Sequence, residues 1–360
     1  MPSLPNDLLA CIVEAVYDAK TQWVLLTLCR EMSRFVLTAI YHELSFDSRD
    51  VASCKSMISL EKLALSAETN PNLRFTSSFN YGGFTASNDD KNMRVLLPFL
   101  VNLQRMAIKS SHVDPETLGL IPPTVKLTHL ILESTNYSSA FVKFVESQTH
   151  LHFLSVYHFE LESEEHPYDA AISPTAIPEI RSLRCPISIA KLFGHRPSII
   201  SVCFTPEWDE LPAQFHKEIM TMFPSVRAAH FALPLDFPEI ALFSLRLSQL
   251  EYLRLDIGWR LAPSDWSVLA GTKLKYIRLL GHMMLIMDEP EEISRSIFNA
   301  VGTVVVVDLS EEEAKVRRFY RHSGTSVLVR IPVPRWQLWW ETVETDIDEA
   351  CLDHHHSVVT

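Results

Sequence analysis

Fifteen histidines and six cysteines are the side chains of this 360-residue chain best suited to metal binding or nucleophilic chemistry. Their spacing supports neither. Cys11, Cys29, Cys54, Cys185, Cys203 and Cys351 are widely scattered and form no C-x-x-C pair, and several lie among apolar neighbours, which suits small buried thiols better than disulfides. His354-His355-His356 is the one dense histidine cluster. Adjacent histidines near a chain end can scavenge metal, but no cysteine or carboxylate scaffold is spaced to fix a tetrahedral geometry around them. His150 and His152 flank Leu151 at the start of a strand and point away from the core. Glu164-Glu165 lies in a polar loop with nothing to raise either pKa. The nucleophile-elbow, zinc-protease and zinc-deaminase patterns are all absent. The sequence therefore predicts no catalytic residue, no metal site and no cofactor.

Recognition chemistry is better supported. Tyr252 and Arg254 recur as Tyr276 and Arg278, 24 residues further on. On adjacent parallel strands, about 4.8 Å apart, the two arginines would stack as neighbours with the tyrosines beside them. Two cations held that close repel unless an anion joins them, and Arg and Tyr are enriched in binding hot spots. His230 and Phe153 occupy equivalent positions in other repeats, so Phe153, His230, Tyr252, Arg254, Tyr276 and Arg278 form a candidate target-binding face. Local neutralisation of the arginines by Asp256 and Asp308 is the alternative.

These residues owe their equivalence to the frame L-x-x-L-x-L. Clear instances begin at Leu103, Leu127, Leu151, Leu250 and Leu274; looser ones begin at Leu60, Ile180, Ile199, Val226 and Val304. The steps 103–127, 127–151, 226–250 and 250–274 are all 24 residues, within the range of known strand–helix repeats. Helical stretches fall between the frames, at Ser139–Gln148, Gln214–Phe223 and Pro263–Ala270. Strand plus helix at this period resembles leucine-rich repeats, without their usual asparagine ladder. The resemblance implies an α/β fold in which residues 50–335 form one curved, irregular solenoid, parallel strands inside and helices outside. Side chains at frame positions 3, 5 and 7 would then point to its concave surface.

The end of the chain is expected to close that array. Ser310 with Glu313 fits a capping box, with Lys315, Arg317, Arg318 and Arg321 towards the helix end and Gly324 as its stop. Val327–Ile331 reads as the last strand. Residues 336–360 follow as a cap and tail. Trp336, Trp339, Trp340 and Val343 form a helical apolar stripe, which is either a cap on the last repeat or an aromatic docking site. Residues 341–353 then hold six acidic side chains and no basic one, a solvated tail.

The first 48 residues read as a separate helical module. Leu8, Leu9, Ile12, Val13 and Val16 form one apolar face, and Met32, Phe35, Val36, Ala39 and Ile40 another. Leu4-Pro5-Asn6-Asp7-Leu8-Leu9, followed by Ile12-Val13 and by Leu25-Leu26-Thr27-Leu28-Cys29-Arg30, resembles the F-box. Asp7 stands where that motif usually has Glu, and Met32 where it commonly has Trp. The resemblance implies the substrate receptor of an SCF-type ubiquitin ligase, with Leu4, Pro5, Leu8, Leu9, Ile12, Val13, Leu25 and Leu28 on an adaptor that bridges to a cullin. A repeat scaffold with no ligase role is the rival reading. Composition narrows the partners further. The net charge of −12 disfavours nucleic acid, and nine glycines with no phosphate-loop pattern disfavour nucleotide enzymes. No basic leader and no apolar run of about 20 residues occurs, so a cytoplasmic or nuclear chain with no membrane partner is expected.

Overall fold

The computed structural model of the protein describes residues 21, 24–25, 30–47, 59–82, 87–109, 113–161, 171–205, 222–231, 249–256, 266–280, 290–310, 316–321 and 331–332. The chain divides into two compact units, Met1–Ala170 with Thr175–Glu179, and Ala171–Pro174 with Ile180–Thr360. Each is a mixed α/β repeat built on parallel strands.

In the first unit the strands are β1 (Glu43–Asp47), β2 (Ser78–Gly82), β3 (Arg105–Ile108), β4 (His129–Tyr137) and β5 (Phe153–Leu161). Each pairs in parallel with the next. One strand face carries Leu44, Phe79, Met106, Leu130 and Leu154 in register, all buried. Burying each such side chain contributes about 1.5–3 kcal/mol, and this row runs unbroken across all five strands. The helix Ser139–Ser147 covers that face with Phe141, Val142, Phe144 and Val145; the Ser138 hydroxyl caps its start by accepting from the Phe141 N–H at 3.2 Å.

The second unit carries β6 (Ser182–Pro186), β7 (Ser201–Thr205), β8 (Ala228–Phe231), β9 (Tyr252–Asp256), β10 (Tyr276–Leu280), β11 (Val306–Ser310), β12 (Val316–Tyr320) and β13 (Ile331–Pro332). Strands β6 to β11 run parallel; β12 and β13 turn back antiparallel. The frames beginning at 103, 127 and 151 thus give parallel neighbours in the first unit, and those at 226, 250 and 274 in the second. Among the described residues no helix is long and apolar enough to cross a membrane.

A repeating backbone bond holds the register where an asparagine ladder is missing. The carbonyl of the second frame residue accepts from two N–H groups one repeat on. Gln104 accepts from Thr128 (2.7 Å) and His129 (3.2 Å), and Glu251 accepts from Lys275 (2.8 Å) and Tyr276 (3.1 Å). One glutamine does serve as an internal acceptor: buried Gln148 takes the Leu127 N–H on Oε1 at 3.0 Å.

Three expectations fail in informative ways. Leu60, Leu63 and Leu65 are not a strand but lie in the helix Leu60–Ser66, capped by Ser59. The true second strand lies sixteen residues later on the frame Thr76, Phe79, Tyr81, whose first member is polar but fully buried. Helical periodicity is confirmed over Arg30–His42, but the expected helical module then ends in β1, whose frame Tyr41, Leu44, Phe46 joins the repeat sheet. Finally, the helix expected after Ser310 is strand β12 over Val316–Tyr320. Val-Arg-Arg-Phe-Tyr is rich in β-formers, and Phe319 is buried in register with Val307. Arg321, expected at that helix's end, instead donates from its guanidinium to the carbonyls of Phe298, Val301 and Gly302, at the end of the helix Pro290–Ala300. Leu4, Pro5, Leu8, Leu9, Ile12, Val13, Leu28, most of Gln214–Phe223, Trp336, Trp339, Trp340 and His354-His355-His356 lie outside the described residues.

Candidate functional site

Because strand side chains alternate, the face opposite the leucine rows is set by frame positions 3 and 5. In the second unit, position 5 gives one continuous row: Arg184, Cys203, His230, Arg254, Arg278, Asp308 and Arg318, each in register with the next. Position 3 gives a parallel row through Ala228, Tyr252, Tyr276 and Val306, packed together as an apolar cluster. Tyr252 and Tyr276 stand 6.3 Å apart between ring centroids. The expected arginine–tyrosine neighbours, with His230 one strand away, are therefore brought together.

They are not an open surface, however. Tyr252 and Tyr276 are 2% and 1% exposed, Arg254 and Arg278 8% and 3%, and His230 7%. In β8, β9 and β10 both strand faces are buried, as in parallel sheets covered on two sides, whereas β2, β3 and β4 alternate between buried and half-exposed.

Asp308 organises the far end of the row. Wholly buried, it accepts from the Tyr276 hydroxyl at 2.5 Å and from Arg318 Nε and Nη2 at 2.8 Å each. Burial, and then the Asp308 carboxylate, push the Tyr276 hydroxyl well above its ordinary pKa, with Arg318 and Arg278 opposing. Tyr276 is thus a fixed donor. Burial works against the Arg318 cation, but Asp308 outweighs it and holds the guanidinium charged. Asp308 therefore neutralises Arg318 first; the row still holds four arginines to one carboxylate. The side chain of Asp256 lies outside the described residues.

Cys203 Sγ lies 3.1 Å from His230 Nδ1, both buried. No sequence motif marks a cysteine and a histidine 27 residues apart, but both sit at frame position 5, and reading that position across repeats would have paired them. Asp308 was expected beside the arginines, but its pairing with Arg318 was obscured because Arg318 was assigned to a helix.

Phe153 belongs to the first unit, on a half-exposed row with Arg105 and His129. The His129 and Phe153 rings stack at 5.9 Å and 27°. Nearby, His150 and His152 both approach Glu179 Oε2, at 3.2 and 3.1 Å. Hydrogen bonding to His152 is the main cause that lowers the exposed Glu179 carboxyl pKa. Among the described residues no group of three or more histidines, cysteines and carboxylates is arranged to hold a metal ion.

No protein-family profile matches the chain, and no curated protein is similar in sequence. Among solved structures, the leucine-rich repeat-containing protein LegL7 from Legionella pneumophila is 12% identical, with a TM-score of 0.40 over 71% of this chain and 80% of its own. A microbiome-derived acarbose kinase is 12% identical, with a TM-score of 0.21 over 67% of this chain and 62% of its own. The repeat architecture stands on the chain's own strand register rather than on either likeness.

Proposed function

We propose that this chain is a target-binding repeat protein that serves an SCF-type ubiquitin ligase as its substrate receptor. The observation that carries the binding role is the one-sided sheet of the first unit. One face is an unbroken apolar row, while the other presents Arg105, His129 and Phe153 in register and half-exposed. An aromatic anchor beside a cation and an imidazole suits a protein target with an acidic segment. No catalytic residue is required, because a receptor accelerates transfer by holding its target near the enzyme that acts on it.

The ligase role rests on the F-box resemblance of residues 4–46, with Leu4, Pro5, Leu8, Leu9, Ile12, Val13, Leu25 and Leu28 as the adaptor-binding set. The domain plan is accordingly an adaptor-docking module up to residue 48, repeats over 50–335 and a C-terminal segment from 336. In the full chain, Leu8→Asp with Ile12→Asp should abolish co-purification of the adaptor and cullin without lowering the unfolding midpoint. Retention of the adaptor by this variant overturns the ligase role.

A scaffold without ligase activity is the second reading, favoured by how the helix Arg30–His42 sits. It packs on the 3-10 turn Pro71–Phe75, with Tyr41 Oη accepting from Asn70 Nδ2 at 3.1 Å and Val36 fully buried against Leu25, Phe35, Ala39 and Ile40. A helix that caps the first repeat in this way has a structural role in either case.

A further inference from the structure

Cys203 on β7 and His230 on β8 stand side by side at frame position 5, and Cys203 Sγ lies 3.1 Å from His230 Nδ1. With Nδ1 facing the sulfur, the imidazole is placed to take the thiol proton, which leaves a thiolate held by an imidazolium. A cysteine paired in this way is a nucleophile, whereas a thiol buried among apolar side chains is inert. Cys185 is of the second kind: on the neighbouring strand β6 it lies in register with Phe204 on the opposite, apolar face, and is 1% exposed.

Exposure on the Cys203 face falls from β6 towards β9. Ser182, Arg184 and Ser201 are partly exposed, Cys203 and His230 keep 8% and 7%, and Ala228 and Tyr252 keep 0% and 2%. The pair thus sits at the margin of the covered part of the face, where a small neutral reagent reaches the sulfur far more readily than a bulky one. Arg184 on β6 and Arg254 on β9 are the charged side chains in register on either side of the pair. The imidazole is the group that takes the proton.

We propose that Cys203 is a modification site for hydrogen peroxide, with His230 first its proton acceptor and then a proton donor. The thiolate attacks one peroxide oxygen, and an S–O bond forms as the O–O bond breaks. The sulfur loses two electrons and becomes a sulfenic acid, while the departing hydroxide takes the proton from His230 and leaves as water. Cys185, on the other face, is not placed to close a disulfide on this product. Sulfenic acid is therefore the species to trap. The site stands independently of the target-binding and ligase readings.

The test uses the full-length protein. It is treated with hydrogen peroxide in slight excess and then with dimedone, which traps sulfenic acids, and each cysteine peptide is followed by mass spectrometry. Dimedone should appear on Cys203 and not on Cys185. Nucleophilicity is read separately with iodoacetamide, from which the thiolate displaces iodide. An ordinary thiol, with a pKa of about 8.5, gains roughly fiftyfold in rate between about pH 6.5 and 8.5. Cys203 should change less than about threefold over that range, and at its lower end should outpace Cys185 by at least about tenfold. His230→Asn should slow Cys203 roughly tenfold at the lower pH and restore the ordinary rise, with Cys185 still unreactive as the sign that the sheet is intact. Should the variant expose Cys185, the wild-type profile decides alone. A Cys203 as slow as Cys185, an ordinary rise with pH in the wild type, or no dimedone on Cys203 overturns the proposal. An unchanged profile in a folded His230→Asn protein overturns it as well.

Discussion

Asp308 and Arg318 meet across the antiparallel pair β11–β12 through two parallel hydrogen bonds of 2.8 Å, one from Nε and one from Nη2. This fork is a geometrically specific electrostatic contact. It joins the last parallel strand to the first reversed one, and Tyr276 on β10 adds a third bond to the same carboxylate. Planar guanidinium and carboxylate groups match only in one orientation, so the contact fixes where the repeat ends as well as stabilising it.

Removing Asp308 should therefore be costly. Asp308→Ala leaves a half-buried guanidinium and a buried hydroxyl without their shared acceptor, and the expected loss is about 3–5 kcal/mol in urea unfolding. Tyr276→Phe removes one donor from a carboxylate that still has Arg318, and should cost about 1–3 kcal/mol. A double-mutant cycle of Asp308→Ala with Arg318→Ala should show strong coupling. Additive losses would mean the fork contributes no more than its separate parts.

Arg196 poses a related test in which backbone carbonyls serve as acceptors. It is 2% exposed, and its guanidinium donates to the carbonyls of Phe193 (2.8 Å), Pro174 (3.1 Å), Ser173 (2.6 Å) and Ile172 (3.5 Å). The fork geometry ties 172–174 to the turn at Phe193. Arg196→Lys keeps the charge but cannot reach these carbonyls together, so it should destabilise nearly as much as Arg196→Met, by roughly 2–4 kcal/mol. A lysine variant of wild-type stability would show that charge, not geometry, matters at this site.

How much of this was legible beforehand depended on which residues filled the frame. Where Leu, Ile or Val occupied all three inward positions, as at Leu127-Leu130-Leu132 and Leu250-Leu253-Leu255, strand and register were read correctly. The frames Thr76-Phe79-Tyr81 and Tyr41-Leu44-Phe46 escaped because polar or aromatic residues stand in for leucine. Leu60-Leu63-Leu65 misled for the opposite reason. Leucines three apart also suit a helix, and Ser59, Glu61, Ala64 and the caps decide for one. At the candidate site, register made the arginine–tyrosine neighbours legible. Their burial was not, because a one-dimensional pattern cannot show that a second layer lies over a strand face.

Glu251 links stability to pH. It accepts from Arg227 Nη2 at 3.0 Å and Lys275 Nζ at 2.9 Å, residues one repeat before and after it. Partial burial works against its carboxylate, but Lys275 and Arg227 outweigh this and hold its pKa below the ordinary range. A carboxyl depressed on folding contributes stability that is present above its unfolded pKa and lost as the pH falls through the folded value. Glu251→Gln should thus be less stable than wild type by about 0.5–1 kcal/mol at neutral pH, with the gap closing in acid and shrinking with added salt. A gap independent of pH would assign the loss to packing.

Target binding through the open row of the first unit gives the last expectation. Phe153 stacks on His129 and stands in register with it and, one strand further, with Arg105, all three half-exposed. A ring already held by its neighbour loses little conformational entropy when a partner covers it, which is the property of a binding anchor. Phe153→Ala should weaken target affinity by roughly tenfold or more, and Arg105→Ala by less but with a reduced dependence on salt. The opposite face supplies the control. Leu65 is 82% exposed on the helix Leu60–Ser66, and Leu65→Ala should leave affinity unchanged. Affinities are read by isothermal titration with a target recovered by pull-down. If Phe153→Ala and Leu65→Ala bind equally, the open row is not the target face.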